Sequence, residues 1–312
     1  MTDTPLRIIT RESPLAMWQA SHVRDCLQKI HQDLQIKILG ITTDADKFLD
    51  STLVSLGGKG AFVKELEQAL LEGHADIAVH SMKDVTVDLP DGLDITAIMP
   101  RENPGDAFVS NQYASLQQLP TGASIGTSSL RRQCQIKALR PDLLIKLIRG
   151  NVGTRLNKLD AGGYDALVLA SSGLIRLGLQ DRIRQQLGAD IMLPAIGQGA
   201  LGIEVRSADM LTRNLIAPLN DTDTNLCVSA ERIVNKRLNG GCHAPVAAYA
   251  TRQANTLFIN GLVGSPDGTE IIRASLQGPC EQADKLGDRL GQMLLDLGAD
   301  RILKLLRSGA NE

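Results

Sequence analysis

The chain reads Ala75-Asp76-Ile77-Ala78-Val79-His80-Ser81-Met82-Lys83-Asp84 at the place where its fold is easiest to predict. The apolar run 77–79 stops abruptly at the polar residues that follow it. A short run bounded in this way is typical of a buried strand in a parallel sheet. Ligands of open α/β sheets lie beyond the carboxyl ends of the strands, so the polar residues at 80–84 are candidates to face a ligand. Taken alone, one such stretch is better explained as a solvated turn.

Other predicted strands end in the same style, which favours the functional interpretation. Apolar residues at helical spacing follow the predicted strand 6–9, with Ser13 as a good N-cap and Pro14 as a good first helical residue. The alternation of strands and helices predicts βαβ units with parallel sheets in two successive stretches. The additional strands are predicted at 6–9, 35–41, 124–126, 143–148 and 166–169.

The pattern changes from about residue 222. A helix is predicted to end at Asn239-Gly240-Gly241, and strands are predicted at 246–250, 257–263 and 271–276. The turn residues Ser265-Pro266-Asp267-Gly268 separate the last two strands. With an amphipathic helix over 281–307, this part is predicted to be a small α+β domain with an antiparallel sheet.

Composition excludes several classes of protein. A chain of 312 residues is expected to form two or three domains, and no apolar run approaches the length of a membrane helix. The net charge of −2 and the aromatic content of 3% argue against a nucleic-acid partner. The N-terminus shows no secretory pattern, and the five cysteines form no C-x-x-C pair. We therefore expect a cytoplasmic protein with reduced thiols, no metal cluster and no membrane partner.

Arg131 and Arg132 lie in the first turn of the helix that Thr127-Ser128-Ser129 is predicted to open. Cations at this end of a helix face its positive dipole, at a cost of roughly 0.3–1 kcal/mol each. An anion bound to the backbone N–H groups, the hydroxyls and the guanidinium groups would reverse that cost. An exposed arginine pair is the commoner case in general. One shared anion site is the better explanation here, because other arginines also follow predicted strand ends: Arg11, Arg149, Arg155 and Arg176.

Two further residues are candidates for chemistry. Asp84 is a carboxylate in a basic setting, so it is either an ion-pair partner or a group that stabilises a developing cation. Cys242 lies between Gly240-Gly241 and Pro245, in a loop of restricted shape. A small residue in a turn is the usual explanation of such a cysteine, and a covalent attachment point or a nucleophile is the sharper one.

Two glycine motifs fail. The sequence Gly197-Gln198-Gly199-Ala200-Leu201-Gly202 matches G-x-G-x-x-G, but a strand-like run follows it where a dinucleotide site needs a helix. Gly57-Gly58-Lys59-Gly60 lacks the Ser/Thr and the spacing of a P-loop, and the segment 47–60 is predicted to be a mobile loop or lid. A nicotinamide dehydrogenase is therefore disfavoured.

Assembled, these residues closely resemble the porphobilinogen deaminase (hydroxymethylbilane synthase) family of tetrapyrrole biosynthesis. The resemblance spans nearly the whole chain. The matching segments are 10–16, 57–62 with Lys64-Glu65, 75–84, 106–110, 126–132, 147–155, 193–199 and 240–242.

The resemblance implies an α/β fold with two lobes like type II periplasmic binding proteins and a smaller α+β C-terminal domain. The implied domains are 1–99 with 195–217, 105–193, and 222–312. The implied activity deaminates four porphobilinogen molecules and joins them head to tail on a dipyrromethane primer, releasing linear hydroxymethylbilane. The family also suggests a monomer.

The resemblance also assigns roles to residues. Cys242 would hold the dipyrromethane cofactor through a thioether, and Asp84 would be the catalytic carboxylate that contacts pyrrole N–H groups. Cofactor binding would involve Ser81, Lys83, Asp84, Thr127, Ser128, Ser129, Arg131 and Arg132. Arginines that bind the acid side chains of the substrate would be Arg11, Arg149, Arg155 and Arg176.

One departure from the family pattern lies before the segment 47–60. The family has Thr-x-Gly-Asp, and this chain reads Thr43-Asp44-Ala45-Asp46. Alanine adopts positive φ less cheaply than glycine. The alternative function is a cytosolic two-lobed binding protein for a polycarboxylate ligand, which would need neither Asp84 nor the Gly-Gly-Cys242 sequence.

Overall fold

The computed structural model describes residues 5–42, 63–241 and 244–308. The predicted cofactor cysteine Cys242, the departure at Thr43-Asp44-Ala45-Asp46 and the segment 47–60 lie outside these ranges. The chain divides into two units. Unit 1 comprises Met1–Arg101 and Ala200–Asn225, and unit 2 comprises Glu102–Gly199 and Leu226–Glu312. Among the described helices, none combines the length and the hydropathy that a membrane span requires.

Unit 1 contains one five-stranded sheet with the strand order β2-β1-β3-β10-β4. β1 runs parallel to β2 and β3, whereas β10 runs antiparallel to β3 and β4. Numbered along the whole chain, its strands are β1 (Leu6–Arg11), β2 (Ile36–Ile41), β3 (Ile77–Ser81), β4 (Leu93–Ile98) and β10 (Leu201–Arg206).

Helices cover both faces of this sheet. Ser13 caps helix α1 (Pro14–Ile30), its Oγ accepting a hydrogen bond from the Ala16 N–H, as the sequence predicts. The buried face of α1 packs with β1 and β3 in one core, and helix α2 (Lys64–Leu71) packs against the opposite face in a second core. Further helical segments of unit 1 are α6 (Met210–Ile216) and the start of α7 (Thr222–Arg237).

Unit 2 contains a second five-stranded sheet, with the order β7-β6-β8-β5-β9. β6 runs parallel to β7 and β8, and β5 runs antiparallel to β8 and β9. The strands are β5 (Asp106–Val109), β6 (Ser124–Gly126), β7 (Leu144–Lys146), β8 (Ala166–Ala170) and β9 (Gln185–Leu187). The helices are α3 (Leu130–Leu139), α4 (Val152–Asp160) and α5 (Ser171–Arg176).

The remaining part of unit 2 is a three-stranded antiparallel sheet with the order β11-β12-β13, as predicted. One core joins this sheet to α7 and to the C-terminal helices. Its elements are β11 (Val246–Gln253), β12 (Thr256–Gly264), β13 (Ile271–Pro279), α8 (Ala283–Leu294) and α9 (Asp300–Ser308). Two α/β lobes and a smaller α+β part are thus confirmed.

Two details of the prediction are wrong. The sheets of both lobes are mixed, because β5 and β10 run antiparallel to their neighbours. The chain passes from one unit to the other before each of these strands, after Arg101 and after Gly199, so neither strand is joined to the preceding strand as part of a βαβ unit of the same sheet. The predicted helix 281–307 is interrupted over Leu295–Ala299, where Gly298 has a φ of 102° that other residues rarely adopt.

Candidate functional site

The carboxyl ends of β1 and β3 meet at one edge of the sheet of unit 1. The strands are parallel, with Ile9 paired to Ala78, so Arg11 and Ser81 follow at the same edge. Both side chains are half-buried. Gln19 of α1 donates from Nε2 to Ser81 Oγ at 2.9 Å, which fixes that hydroxyl. The structure therefore brings together two of the residues that the sequence nominated.

Lys83 and Asp84 stand on a short 3₁₀ turn, Met82–Asp84, directly after β3. Met82 anchors the turn, with a side chain 1% exposed and an N–H that donates to Ala200 O at 3.0 Å. A Cβ at residue 202 would lie 2.2 Å from Met82 Sδ, so Gly202 makes room for this anchor. The half-buried Asp84 is thereby presented by a turn whose backbone is held on the neighbouring strand.

His80 of β3 belongs to a buried polar cluster. His80 Nε2 is 2.9 Å from Glu204 Oε2, and both side chains are buried. Burial and the charge of Glu204 raise the pKa of the nearby Glu67 of α2. Because successive strand residues face opposite sides of a sheet, His80 points away from the side of Ser81. Glu67 and Glu204 could not be predicted from the sequence as partners of His80.

In unit 2 the carboxyl ends of β6, β7 and β8 likewise share an edge. Thr127 follows β6, is buried, and donates its N–H to Lys146 O at 3.1 Å. Ser129 is the N-cap of α3, its Oγ accepting from the Arg132 N–H, while Ser128 is exposed. The predicted helix start is confirmed, and hydroxyls and N–H groups gather at this edge.

Arg131 and Arg132 are buried and share one carboxylate. Arg131 Nη1 donates to Asp106 Oδ2 at 2.8 Å and to Leu193 O at 2.8 Å. Arg132 donates to Asp106 Oδ1 from Nε at 3.1 Å and from Nη2 at 2.8 Å, and its Nη1 donates to Val168 O at 3.0 Å. Burial would raise the pKa of Asp106, but the two guanidinium charges outweigh it and hold that pKa well below its usual range.

Asp106 is the residue that the sequence reasoning missed. It is the first residue of β5 and pairs with Ala170, the last residue of β8. Since β5 runs antiparallel, its amino end reaches the edge where the parallel strands have their carboxyl ends. The segment 106–110 carries part of the resemblance, but the pattern of polar residues at the ends of strands assigns no role to a residue that begins one. Two guanidinium groups and one carboxylate leave a net charge of +1.

The other nominated arginines of unit 2 differ in burial. Arg155 is half-buried and donates from Nε to Gly150 O at 2.7 Å. Arg176 is 8% exposed and donates from Nη2 to Gly199 O at 2.7 Å. Burial lowers the pKa of Arg176 to about 10, against the opposing charge of Glu102. Arg149 is half-buried and immediately precedes Gly150.

Helix α3 also contacts the antiparallel sheet of unit 2. Its Cys134 packs so closely on Gly264 that a Cβ there would lie 2.8 Å from Sγ. Gln133 Nε2 donates to Pro266 O at 3.1 Å. Burial raises the pKa of the Cys134 thiol to about 11, which disfavours its reactive thiolate form.

Described residues on the two sides of the predicted cofactor cysteine hydrogen-bond to one another. Ala244 donates its N–H to Gly241 O at 3.0 Å, which joins the two sides of the segment that contains Cys242. On the preceding side, Asn239 has a φ of 47°, and Gly240 donates its N–H to Asn235 O at 3.0 Å. This connection leads from α7 into β11.

Comparisons with known proteins give the following matches. The family model described as "Porphobilinogen deaminase, dipyromethane cofactor binding domain" matches residues 6–214, and the model described as "Porphobilinogen deaminase, C-terminal domain" matches residues 225–296. An ABC-transporter periplasmic substrate-binding protein from Coxiella burnetii is a similar solved structure, with 14% identity, a TM-score of 0.45 and coverage of 70% of this chain and 93% of that one. A nutrient-binding protein from Burkholderia cenocepacia bound to methionine has 14% identity and a TM-score of 0.44, over 75% of this chain and 97% of that one. Together the two family models match most of the chain.

Proposed function

Since this chain belongs to the porphobilinogen deaminase family, we propose that the two strand edges described above bind the cofactor and the substrate of that family. The chain is a hydroxymethylbilane synthase, a transferase of porphyrin biosynthesis that polymerises porphobilinogen on a dipyrromethane cofactor. The family matches do not favour the alternative of a two-lobed binding protein.

The buried arginine pair carries the proposal. Asp106 balances only one of the charges of Arg131 and Arg132, so a buried charge of +1 remains at the start of α3. A carboxylate of dipyrromethane fits this place, because guanidinium groups, hydroxyls and the N-terminal N–H groups of a ten-residue helix all favour an anion. Residues proposed to hold the cofactor are Ser81, Lys83, Asp84, Thr127, Ser128, Ser129, Arg131 and Arg132, with Cys242 as its thioether anchor.

The other arginines are proposed to bind the substrate. Each pyrrole ring of porphobilinogen and of the growing chain carries two carboxylates. A hydrogen bond to a charged group contributes roughly 1.5–3 kcal/mol, so an elongating anion needs several guanidinium groups. The proposed set is Arg11, Arg149, Arg155 and Arg176.

Asp84 is proposed as the catalytic residue. When bound, dipyrromethane supplies the pyrrole carbon to which the first substrate ring is joined. The Asp84 carboxylate accepts hydrogen bonds from substrate N–H groups and stabilises the positive charge that develops as porphobilinogen loses ammonia. The aminomethyl group of porphobilinogen leaves as ammonia from its ammonium form, and the ionised carboxylate of Asp84 then takes the proton that the new ring loses and passes it to that ammonia. The turn Met82–Asp84 holds this carboxylate at the end of β3.

We further propose three domains, 1–99 with 195–217, 105–193, and 222–312, in a cytoplasmic monomer. The four described cysteines, Cys26, Cys134, Cys227 and Cys280, form no disulfide, which is in keeping with a reducing compartment. Light scattering of the purified chain tests the monomer, and cell fractionation tests the location.

Mass spectrometry under denaturing conditions tests the attachment of the cofactor. We expect the active chain to be heavier than its sequence by one dipyrromethane, and Cys242→Ser to have the plain sequence mass. Cys26→Ser is the matched control, because Cys26 is a half-buried thiol in unit 1, and it should keep the added mass. An active wild-type chain of unmodified mass would contradict the proposal.

A further inference from the structure

Asp106 has a carboxylate with no exposed surface, and donors occupy both of its oxygens. Oδ2 accepts from Arg131, and Oδ1 accepts from two nitrogens of Arg132. Oδ1 also accepts from Gln198 Nε2 at 3.0 Å, and the same nitrogen donates to Pro104 O at 2.6 Å. The carboxylate is thus held by neighbours in the chain as well as by the two arginines.

These contacts fix the direction of both guanidinium planes before any ligand arrives. Arg132 meets Asp106 through Nε and Nη2, an arrangement that restricts the rotation of the whole group. Arg131 is restrained by Asp106 on one side and by Leu193 O on the other. A pair of arginines fixed in this way loses little conformational freedom on binding a carboxylate.

Charge leads to the same conclusion. Arg131 and Arg132 are adjacent in the first turn of α3, where the helix dipole is also positive. Two buried guanidinium groups without a counter-charge would repel one another and turn outward. Asp106 offsets one charge and leaves one for a ligand.

We propose that Asp106 is a positioning residue of the reaction: it orients Arg131 and Arg132 so that they receive the carboxylates of the dipyrromethane cofactor. This inference rests on the cofactor-binding role proposed above for those arginines. Asp106 itself touches neither cofactor nor substrate.

The test compares Asp106→Asn with Asp165→Asn. Asp165, directly before β8 of the same sheet, is a matched control: its carboxylate accepts from Ser124 N at 2.7 Å and from Ser124 Oγ at 2.8 Å, and it forms no ion pair with an arginine of the described residues. Unloaded chains are incubated with porphobilinogen, and the gain of cofactor mass is followed with time. We expect Asp106→Asn to load at least about tenfold more slowly than wild type, and Asp165→Asn to load at the wild-type rate.

Steady-state kinetics of the loaded chains gives a second readout, which a purely structural role would not produce. A misdirected primer should lower kcat for Asp106→Asn by about tenfold or more, with KM for porphobilinogen little changed, because other arginines bind the substrate. If Asp106→Asn does not fold, Asp106→Glu replaces it: the charge is kept, the carboxylate moves by one methylene, and slow loading is again expected.

Loading and kcat at wild-type values in the folded variant would overturn the inference. So would equal losses in Asp106→Asn and Asp165→Asn. A wild-type chain that gains no mass from porphobilinogen would instead contradict the proposed function, so the two failures are distinguishable.

Discussion

Asp84 combines an anchored backbone with a half-buried carboxylate. The buried Met82 and the bond from its N–H to Ala200 O hold the turn, so the side chain two residues on is presented at a defined place. A charge at about 4 Å in surroundings of effective dielectric about 20 contributes about 4 kcal/mol. The charge of the Asp84 side chain alone can therefore change the rate of turnover by orders of magnitude.

Asp84→Asn is expected to lower turnover by about a thousandfold, since asparagine keeps the shape of the side chain and removes its charge. Thermal unfolding should be unchanged. Asp88→Asn is the control, because Asp88 is exposed in the loop that follows the same turn, and it should turn over normally. Most of the activity remaining in Asp84→Asn would remove Asp84 from its assigned role.

Only some of the site residues could be predicted from the sequence. Polar residues at the ends of strands or directly after them, such as Arg11, Ser81 and Thr127, could be predicted as site residues because they end apolar runs. Asp106 could not, because it begins its strand instead of ending one, and its role depends on the direction of β5. Burial of Arg131 and Arg132 was equally invisible, since a first-turn arginine pair is usually exposed.

At the scale of elements, the connection from β7 to α4 depends on one glycine. Gly150 has a φ of 109°, and a Cβ there would lie 2.7 Å from Thr154 Cγ2. Asn151 then caps α4, its side chain accepting from the Thr154 N–H. Arg149 lies directly before this turn, and Arg155 donates to the Gly150 carbonyl. The turn therefore determines the positions of two of the arginines proposed to bind the substrate.

Gly150→Ala is expected to cost about 1–2 kcal/mol of stability and to raise KM for porphobilinogen, because a left-handed alanine is strained and the turn must shift. Gly153→Ala is the control: Gly153 is in α4, its added Cβ would come no nearer than 3.5 Å to Asn151 Oδ1, and activity should be retained. Chemical denaturation and steady-state kinetics measure the two effects. An unchanged KM in Gly150→Ala would count against substrate binding by Arg149 and Arg155.

Most elements could be predicted from local patterns. The strand at 77–81 and the capped start of α1 needed only an apolar run and a Ser-Pro pair. The break at Gly298 was not predicted, because an isolated glycine lowers the stability of a helix by only about 1 kcal/mol and is often tolerated. There the burial of Ala299 and Ile302 with Leu290 and Leu294 favours two helices over one.

At the scale of the whole molecule, the chain passes between its two units after Arg101, Gly199 and Asn225. The returning segment places β10 between β3 and β4 of unit 1. Arg206 at the end of β10 donates to Leu70 O at 2.8 Å and to Ala75 O at 2.5 Å. It also pairs with Asp76 and Asp209. One side chain thus fastens the returning segment to residues more than a hundred positions earlier.

Arg206→Ala is expected to destabilise unit 1 by about 2 kcal/mol, because charged hydrogen bonds are lost and two carbonyls lose a donor. Trp18, the single tryptophan, lies in α1 and reports the unfolding of unit 1 by fluorescence. Arg213→Ala is the control. Its partly exposed pair with Asp94 should contribute no more than about 1 kcal/mol.

The same variant has a predicted pH dependence. Burial raises the pKa of Asp76, but hydrogen bonds from Arg7 and Arg206 outweigh this and lower that pKa below its ordinary value of 3.8. Stability from a lowered carboxyl pKa is present above that ordinary value and is lost as the pH falls through the folded-state pKa. The difference between wild type and Arg206→Ala should therefore shrink below about pH 4. A difference that stays constant into acid would show that Asp76 is not the relevant partner.

The path of the chain was the least accessible property. Periodicity indicated alternating strands and helices, but only the family resemblance indicated that the segment near 195–217 returns to the first lobe. The parallel order of β1, β2 and β3 could be predicted because helices intervene. The reversed direction of β10 could not, because the connection before it contains no periodic signal.

The reversed direction of β5 has a consequence for how such an enzyme can be altered. In a purely parallel sheet, the edge that binds the ligand is formed only by the loops that follow the strands. The cations that attract an acidic ligand and the carboxylates that offset their charge must then come from the same loops. Because β5 is antiparallel, its amino end supplies the carboxylate of Asp106 at this edge, while the start of α3 supplies the two guanidinium groups. Substitutions at 104–106 are then expected to change the affinity for an acidic ligand without altering the helix proposed to bind it.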